Sequence, residues 1–151
     1  KLLTRELRQG LEKIFLKHQE YSNMFVTVLS FGFKYGIPED ADLVFDVRFL
    51  PNPYYSEDLR LLTGEDQSVR DYVMQGGTCA QFLDKLYDMM DFLLPNYINE
   101  GKNQLVVAVG CTGGKHRSVT VARALCAHLT ARAEYGIKIE HRDIDKDNKR
   151  K

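Results

Sequence analysis

The stretch Gly110-Cys111-Thr112-Gly113-Gly114-Lys115-His116-Arg117-Ser118-Val119 constrains this chain more than any other. It follows an apolar run, Leu105 to Val109. It precedes a segment whose helical spacing puts Val119, Val121, Ala122, Leu125 and Leu129 on one inward face. An apolar strand, a glycine turn and a helix start, in that order, form an anion trap. The first backbone N–H groups of a helix have no partner inside it and together carry about half a positive charge. Glycine lets a ligand oxygen approach the main chain without meeting a Cβ. Lys115, His116 and Arg117 add up to three positive charges at the same place. The loop therefore points to phosphate or a similar anion. A tight strand-to-helix turn with no ligand is the plain alternative.

The rest of the chain supplies the frame for such a turn. Met24 to Phe31 is rich in β-branched and aromatic residues and reads as a buried strand, followed by a loop over 32–38. Leu43 to Phe49 reads as a second strand, closed by Pro51-Asn52-Pro53 because two prolines forbid a continued central strand. Residues 57–75 read as one or two short helices broken near Thr63-Gly64. Thr78 caps a longer helix with Phe82, Leu83, Leu86, Met89, Met90 and Leu93 on its apolar face, and Pro95 should kink or end it. The strand at 105–110 and a helix over about 116–133 follow. Tyr135-Gly136 makes a turn and 137–141 a last strand.

Strands alternating with helices predict a single-domain α/β fold, a mainly parallel sheet flanked by helices, with the glycine-rich strand–loop–helix as its anion site. Ligands of such sheets bind beyond the carboxyl ends of the strands. The loops at 32–38, 48–54 and 110–118 leave three such ends and are expected to share one pocket.

Composition narrows the function classes. A length of 151 residues suits one domain, and 44% hydrophobic with 28% charged residues is the balance of a soluble globular protein. No apolar run approaches the ~18 residues of a membrane span, and Lys1 to Lys17 is too charged for a secretory signal. No membrane partner is expected. Net charge is zero, so polyanion binding would need a local patch. Cys79, Cys111 and Cys126 are odd in number and show no CxxC spacing, which argues against a disulfide framework or a metal site and for a reducing cytoplasm. The chain opens without Met on helical spacing (Leu3, Leu7, Leu11, Ile14 and Phe15), so it reads as part of something longer.

The glycine loop meets two enzyme templates imperfectly. A Walker A loop needs GxxxxGK[ST]; here the glycines stand one residue too close and His116 replaces the hydroxyl. Cys111 and Arg117 do have the Cys-x5-Arg spacing of tyrosine-phosphatase-type enzymes, with Asp46 as candidate general acid. That leaves an alternative reading as a cysteine-dependent phosphatase through Cys111, Arg117 and Asp46. Gly110 stands where such enzymes usually carry a histidine, and Cys111 can equally be a small residue ending a buried strand. Asp46 and Arg48 at i, i+2 share one face of a strand and could pair with each other or point at a ligand. Lys34 in a glycine-flanked loop suits an anion contact. Asn52 between two prolines could present a fixed amide. At the C-terminus Arg142, Lys146, Lys149, Arg150 and Lys151 are interrupted by Asp143, Asp145 and Asp147, the pattern of a solvated tail with weakened affinity for nucleic acid.

Three motifs in order, Ser30 to Gly36, Phe45 to Pro53 and Gly110 to Val119, resemble the C-terminal domain of the RapZ/YvcJ family, over roughly 24–142. The resemblance implies residues 1–22 as a linker or terminal helix from a missing N-terminal P-loop domain that binds ATP or GTP, 23–142 as the C-terminal domain, and 143–151 as a charged tail. It implies no cofactor in this domain and a sensor and adapter role rather than turnover. The ligand would be glucosamine-6-phosphate or a similar phosphorylated amino sugar, held by Lys34, Asp46, Arg48, Asn52, Thr112, Gly113, Gly114, Lys115, His116, Arg117 and Ser118. It further implies a structured small RNA contacted through Arg142, Lys149, Arg150 and Lys151, an endoribonuclease partner, and a homo-oligomer. Tyr54 departs from the histidine of RNA-binding members.

Overall fold

The computed structural model describes residues 24–132 and 134–146. The expected helix at 2–20 lies outside them, as do Lys149, Arg150 and Lys151. Four strands, β1 (Met24–Gly32), β2 (Leu43–Asp46), β3 (Gln104–Cys111) and β4 (Tyr135–His141), form one sheet in the order β2-β3-β1-β4. Every neighbouring pair is parallel. Three helices, α1 (Gln67–Met74), α2 (Thr78–Glu100) and α3 (Arg117–Thr130), complete the domain. The mainly parallel α/β expectation is met.

β1 and β3 are the inner strands, so from Val28 and Val107 onward their side chains are buried on both faces, and their sequences read as near-continuous apolar runs. Met24, Val26, Val28, Leu105, Val107 and Val109 are fully or almost fully buried and join one core with Leu86, Met90 and Leu94 of α2 and Leu125 and Leu129 of α3. All four strands run the same way, so their carboxyl ends open onto a single edge of the sheet. That edge positions the site.

Several boundaries differ from expectation for identifiable reasons. β2 stops at Asp46 rather than Phe49: the Val47 amide still donates to the Gly110 carbonyl at 2.9 Å, but the Arg48 amide turns back onto Asp46 Oδ1 at 3.0 Å. α2 does not end at Pro95, and runs on to Glu100 before Gly101 at φ 102°. Leu94 is fully buried, and Tyr97 and Ile98 pack on the core. Apolar contact on the last turn outweighs the hydrogen bond a proline forfeits. Only Gln67–Met74 of the 57–75 region is helical, and Tyr135 and Gly136 belong to β4 rather than to a turn.

Residues 143–146 are not all tail. Asp143 is completely buried, accepts from the Gly32 amide at 2.8 Å, and pairs with Arg142 at 2.8 Å and Lys146 at 2.7 Å. A carboxylate that takes up a backbone N–H and two cations is structural, which is why its charge cannot be read as part of a solvated run.

Candidate functional site

Backbone meets backbone at the carboxyl edge of the sheet. A Cβ on Gly32 would come within 2.6 Å of the Gly113 carbonyl oxygen and 2.8 Å of the Gly114 nitrogen. Gly114 itself has φ 80°, the left-handed region that favours glycine. The loop after β3 thus lies directly against the end of β1, and the Lys34 amide donates to the Thr112 carbonyl at 3.2 Å. Asp143 clamps the same place from β4, while Arg142 Nη2 donates to the Gly36 carbonyl at 2.6 Å. Burial pushes the Asp143 pKa up; hydrogen bonds from Arg142, the Gly32 amide and Lys146 outweigh it and hold the pKa below the usual range.

The loop after β2 is tied in by Arg117, the first residue of α3. Its Nη1 donates to the Arg48 carbonyl at 2.6 Å and to the Leu50 carbonyl at 3.4 Å, and Nη2 to Thr112 Oγ1 at 3.3 Å. These acceptors are neutral. Arg117 is only 5% exposed, and among the described residues it forms no salt bridge; its Nε is buried with no hydrogen-bond partner. A buried cation without a counter-charge is costly, and an orphaned buried donor adds about 1–3 kcal/mol.

Lys115 and His116 are also buried, at 4% and 6% exposure. The His116 ring is hydrogen-bonded at Nε2 to the Arg60 carbonyl at 3.0 Å. Burial pushes its pKa below the ordinary histidine value, with Lys115 and Arg117 pushing the same way, against the lift from hydrogen bonding to the Arg60 and Leu62 carbonyls. Gly64 presses on this helix start, where an added Cβ would meet Val119 Cβ at 2.7 Å and the His116 carbonyl at 2.8 Å.

These loops enclose a cavity of about 250 Å³ lined by Lys34, Asn52, Tyr54, Tyr55, Cys111, Thr112, Gly113, Lys115, His116 and Arg117. Among the described residues no carboxylate lies on its wall. Seven of the residues expected from sequence line it: Lys34, Asn52, Thr112, Gly113, Lys115, His116 and Arg117.

Four others do not. Asp46 and Arg48 satisfy each other in a two-pronged pair, Nε to Oδ1 at 2.9 Å and Nη2 to Oδ2 at 2.7 Å, with both side chains about half exposed. That pair holds the Asp46 carboxyl below its usual pKa. Gly114 is spent on the contact with Gly32. Ser118 is fully buried, its amide donating to Cys111 Sγ at 3.4 Å while the thiol donates to Ser118 Oγ at 3.2 Å. Sequence reasoning did not place Tyr54 and Tyr55 at the cavity. They ride on a short 3-10 turn, Pro53–Tyr55, started by Asn52, whose side chain accepts from the Tyr54 amide at 3.1 Å. The Asn-Pro pair before two aromatics was the available signal.

Fold and site together define a parallel α/β domain with a cationic strand–loop–helix cradle at the carboxyl end of its sheet. The chain belongs to the RapZ family: the model of the RapZ C-terminal domain matches residues 24–145. It is 63% identical over 146 residues to a nucleotide-binding protein of Agathobacter rectalis, covering 97% of this chain and 50% of that protein. Nucleotide-binding proteins of Acetivibrio thermocellus and Thermoanaerobacter sp. are 53% and 54% identical, over 98% and 97% of this chain and 50% and 51% of theirs. The chain spans about half the length of these curated relatives. Among the described residues no helix is long and apolar enough to cross a membrane.

Proposed function

We propose that this domain is a non-catalytic sensor that binds a small phosphorylated sugar, glucosamine-6-phosphate or a close relative, in the cytoplasm. The observation that carries the reading is Arg117: a buried guanidinium with an unpartnered Nε and no salt bridge among the described residues, on the wall of a cavity that contains no carboxylate. A phosphate would supply the missing counter-charge, and a planar guanidinium suits it better than an ammonium does. Lys34 and Lys115 add positive charge, and Asn52 and Thr112 offer hydrogen bonds to sugar hydroxyls. A cavity of about 250 Å³ suits a small ligand, since pockets that take drug-sized molecules run to about 300–1,000 Å³.

In the whole protein, ligand occupancy would bias a partner domain that binds ATP or GTP, through a difference in affinity between two states. A structured small RNA, an endoribonuclease and self-association belong to the same proposal. They draw on the family resemblance, with Arg142 and residues 149–151 as the RNA contact.

Calorimetry with glucosamine-6-phosphate tests the pocket. Binding by the parent chain, lost by at least tenfold in a folded Arg117→Ala variant, is expected; equal affinity in the two proteins would remove the assignment. The phosphatase alternative has two observations behind it: Cys111 lines the cavity with Arg117, and its Sγ accepts from the Ser118 amide at 3.4 Å. Against it, Asp46 is engaged by Arg48 and is not on the cavity wall, which leaves no carboxylic acid there to protonate a leaving group. Release of phosphate from an aryl phosphate, abolished by Cys111→Ser, would favour it.

A further inference from the structure

The cavity has one feature that phosphate binding does not use. Tyr54 and Tyr55 line it and are 53% and 78% exposed. Single exposed aromatics are ordinary on a protein surface; these two are adjacent, at the mouth of a cationic cavity, and held in place. Their rings stand 5.7 Å apart at 83°. Pro53 and the Asn52 cap fix the turn that carries them. Arg60 lies over the Tyr54 ring at 5.1 Å and donates from Nε to the Tyr54 carbonyl at 2.8 Å. Tyr54 is thus the fixed member, and Tyr55 is the ring with open faces. Rigid, preorganised aromatics give binding surface at low entropic cost.

We propose that Tyr54 and Tyr55 form the rim on which the ring of the bound sugar phosphate rests, with Tyr55 supplying the open face, so that the site selects cyclic sugar phosphates over acyclic ones. The proposal rests on the phosphate reading above and adds the determinant of ligand class. An aromatic face is electron-rich and attracts the C–H edges of a pyranose, which are its least polar surface. The right-angled pair makes a corner of one face and one edge. A chair-shaped ring can fill such a corner, with C–H groups against the open face of Tyr55 and the edge of the corner beside them. Asn52 and Thr112, on the same wall, can then meet the hydroxyls that point away from the rings.

Calorimetry on the full chain, its Tyr55→Ala and its Tyr55→Phe variants tests this with glucosamine-6-phosphate, glycerol phosphate, inorganic phosphate and a nucleoside monophosphate. Tyr55→Ala should weaken glucosamine-6-phosphate by about threefold to tenfold. It should leave inorganic phosphate and glycerol phosphate unchanged, and Tyr55→Phe should keep the parent affinity for all. An unchanged sugar-phosphate affinity in Tyr55→Ala, or an equal loss for every anion, would overturn the rim assignment while leaving the phosphate site standing. A nucleoside monophosphate bound more tightly than the sugar phosphate, and weakened by the same substitution, would overturn the pyranose class. If the parent chain binds none of the four, the phosphate reading fails, and the rim with it.

Discussion

The two ends of this domain are held together by different physics. The body, where α2 and α3 meet the sheet, is apolar side chain against apolar side chain, with Leu86, Met90, Leu94, Leu125 and Leu129 in one core. At the carboxyl edge, main chain lies on main chain, and cations are buried between them. All seven buried polar or charged residues among the described ones, Ser30, Lys115, His116, Arg117, Ser118, Thr120 and Asp143, lie at this end. Burial of charge is unfavourable for stability by itself. Its concentration at one edge marks the place where the fold gives up stability for a site.

The comparison breaks most visibly at Gly32. An added methyl there meets backbone atoms that have no room to give, so Gly32→Ala should cost about 3 kcal/mol or more. It should also lower anion affinity in whatever fraction still folds. Leu94→Ala in the body should cost a comparable 2–5 kcal/mol by leaving a cavity, roughly as large core truncations do, with anion affinity unchanged. Urea denaturation combined with titration of each variant separates the two ends: stability falls in both, affinity in one.

A smaller effect comes from pH. Burial lowers the folded-state pKa of His116, and that of His141, which sits between Ser30 Oγ at 2.7 Å and Glu65 at 3.3 Å. A histidine with a depressed folded pKa takes up its proton more readily in the unfolded chain. Stability from these groups is therefore complete above the unfolded value of 6.5 and declines as pH falls below it. The depressed carboxylates Asp46, Asp91 and Asp143, with an ordinary value of 3.8, stay ionised in this window, and the stability they add is lost only in stronger acid. The urea midpoint should drop between pH 7.5 and 5.5, and a combined His116→Gln, His141→Gln variant should flatten that dependence.

The smallest effect is expected at the exposed Asp46–Arg48 pair. Arg48→Ala removes a half-exposed salt bridge worth about 0.2–1 kcal/mol, and a side chain that lies off the cavity wall. A thermal melt should move by a few degrees at most, and sugar-phosphate affinity should hold. A tenfold loss of affinity would return Arg48 to the site.

Much of the carboxyl edge was legible because its chemistry is local. Gly113, Gly114, Lys115 and Arg117 declare a glycine turn with cations within five positions, and apolar runs at β1 and β3 announce inner parallel strands. What stayed hidden depends on distant partners. Asp143 reads as one acid in a charged tail until the Gly32 amide is found beside it. The pairing of Asp46 with Arg48 could be foreseen as one of two options, and only the fold chooses between a partner and a ligand. Burial of His116 lowers its pKa, and that burial is set by the Gly64 and Arg60 region far away in sequence. Pro95 does not end its helix because propensity weighs less than the packing of Leu94, Tyr97 and Ile98.

The central claim is that a phosphorylated ligand sits against Arg117. A crystal structure of the chain soaked with glucosamine-6-phosphate tests it most directly. The account predicts phosphate density in the cavity between Thr112 and Arg117, within hydrogen-bond reach of the Arg117 guanidinium, and the sugar ring toward Tyr55. Phosphate density elsewhere, with this cavity empty at saturating ligand, would contradict it.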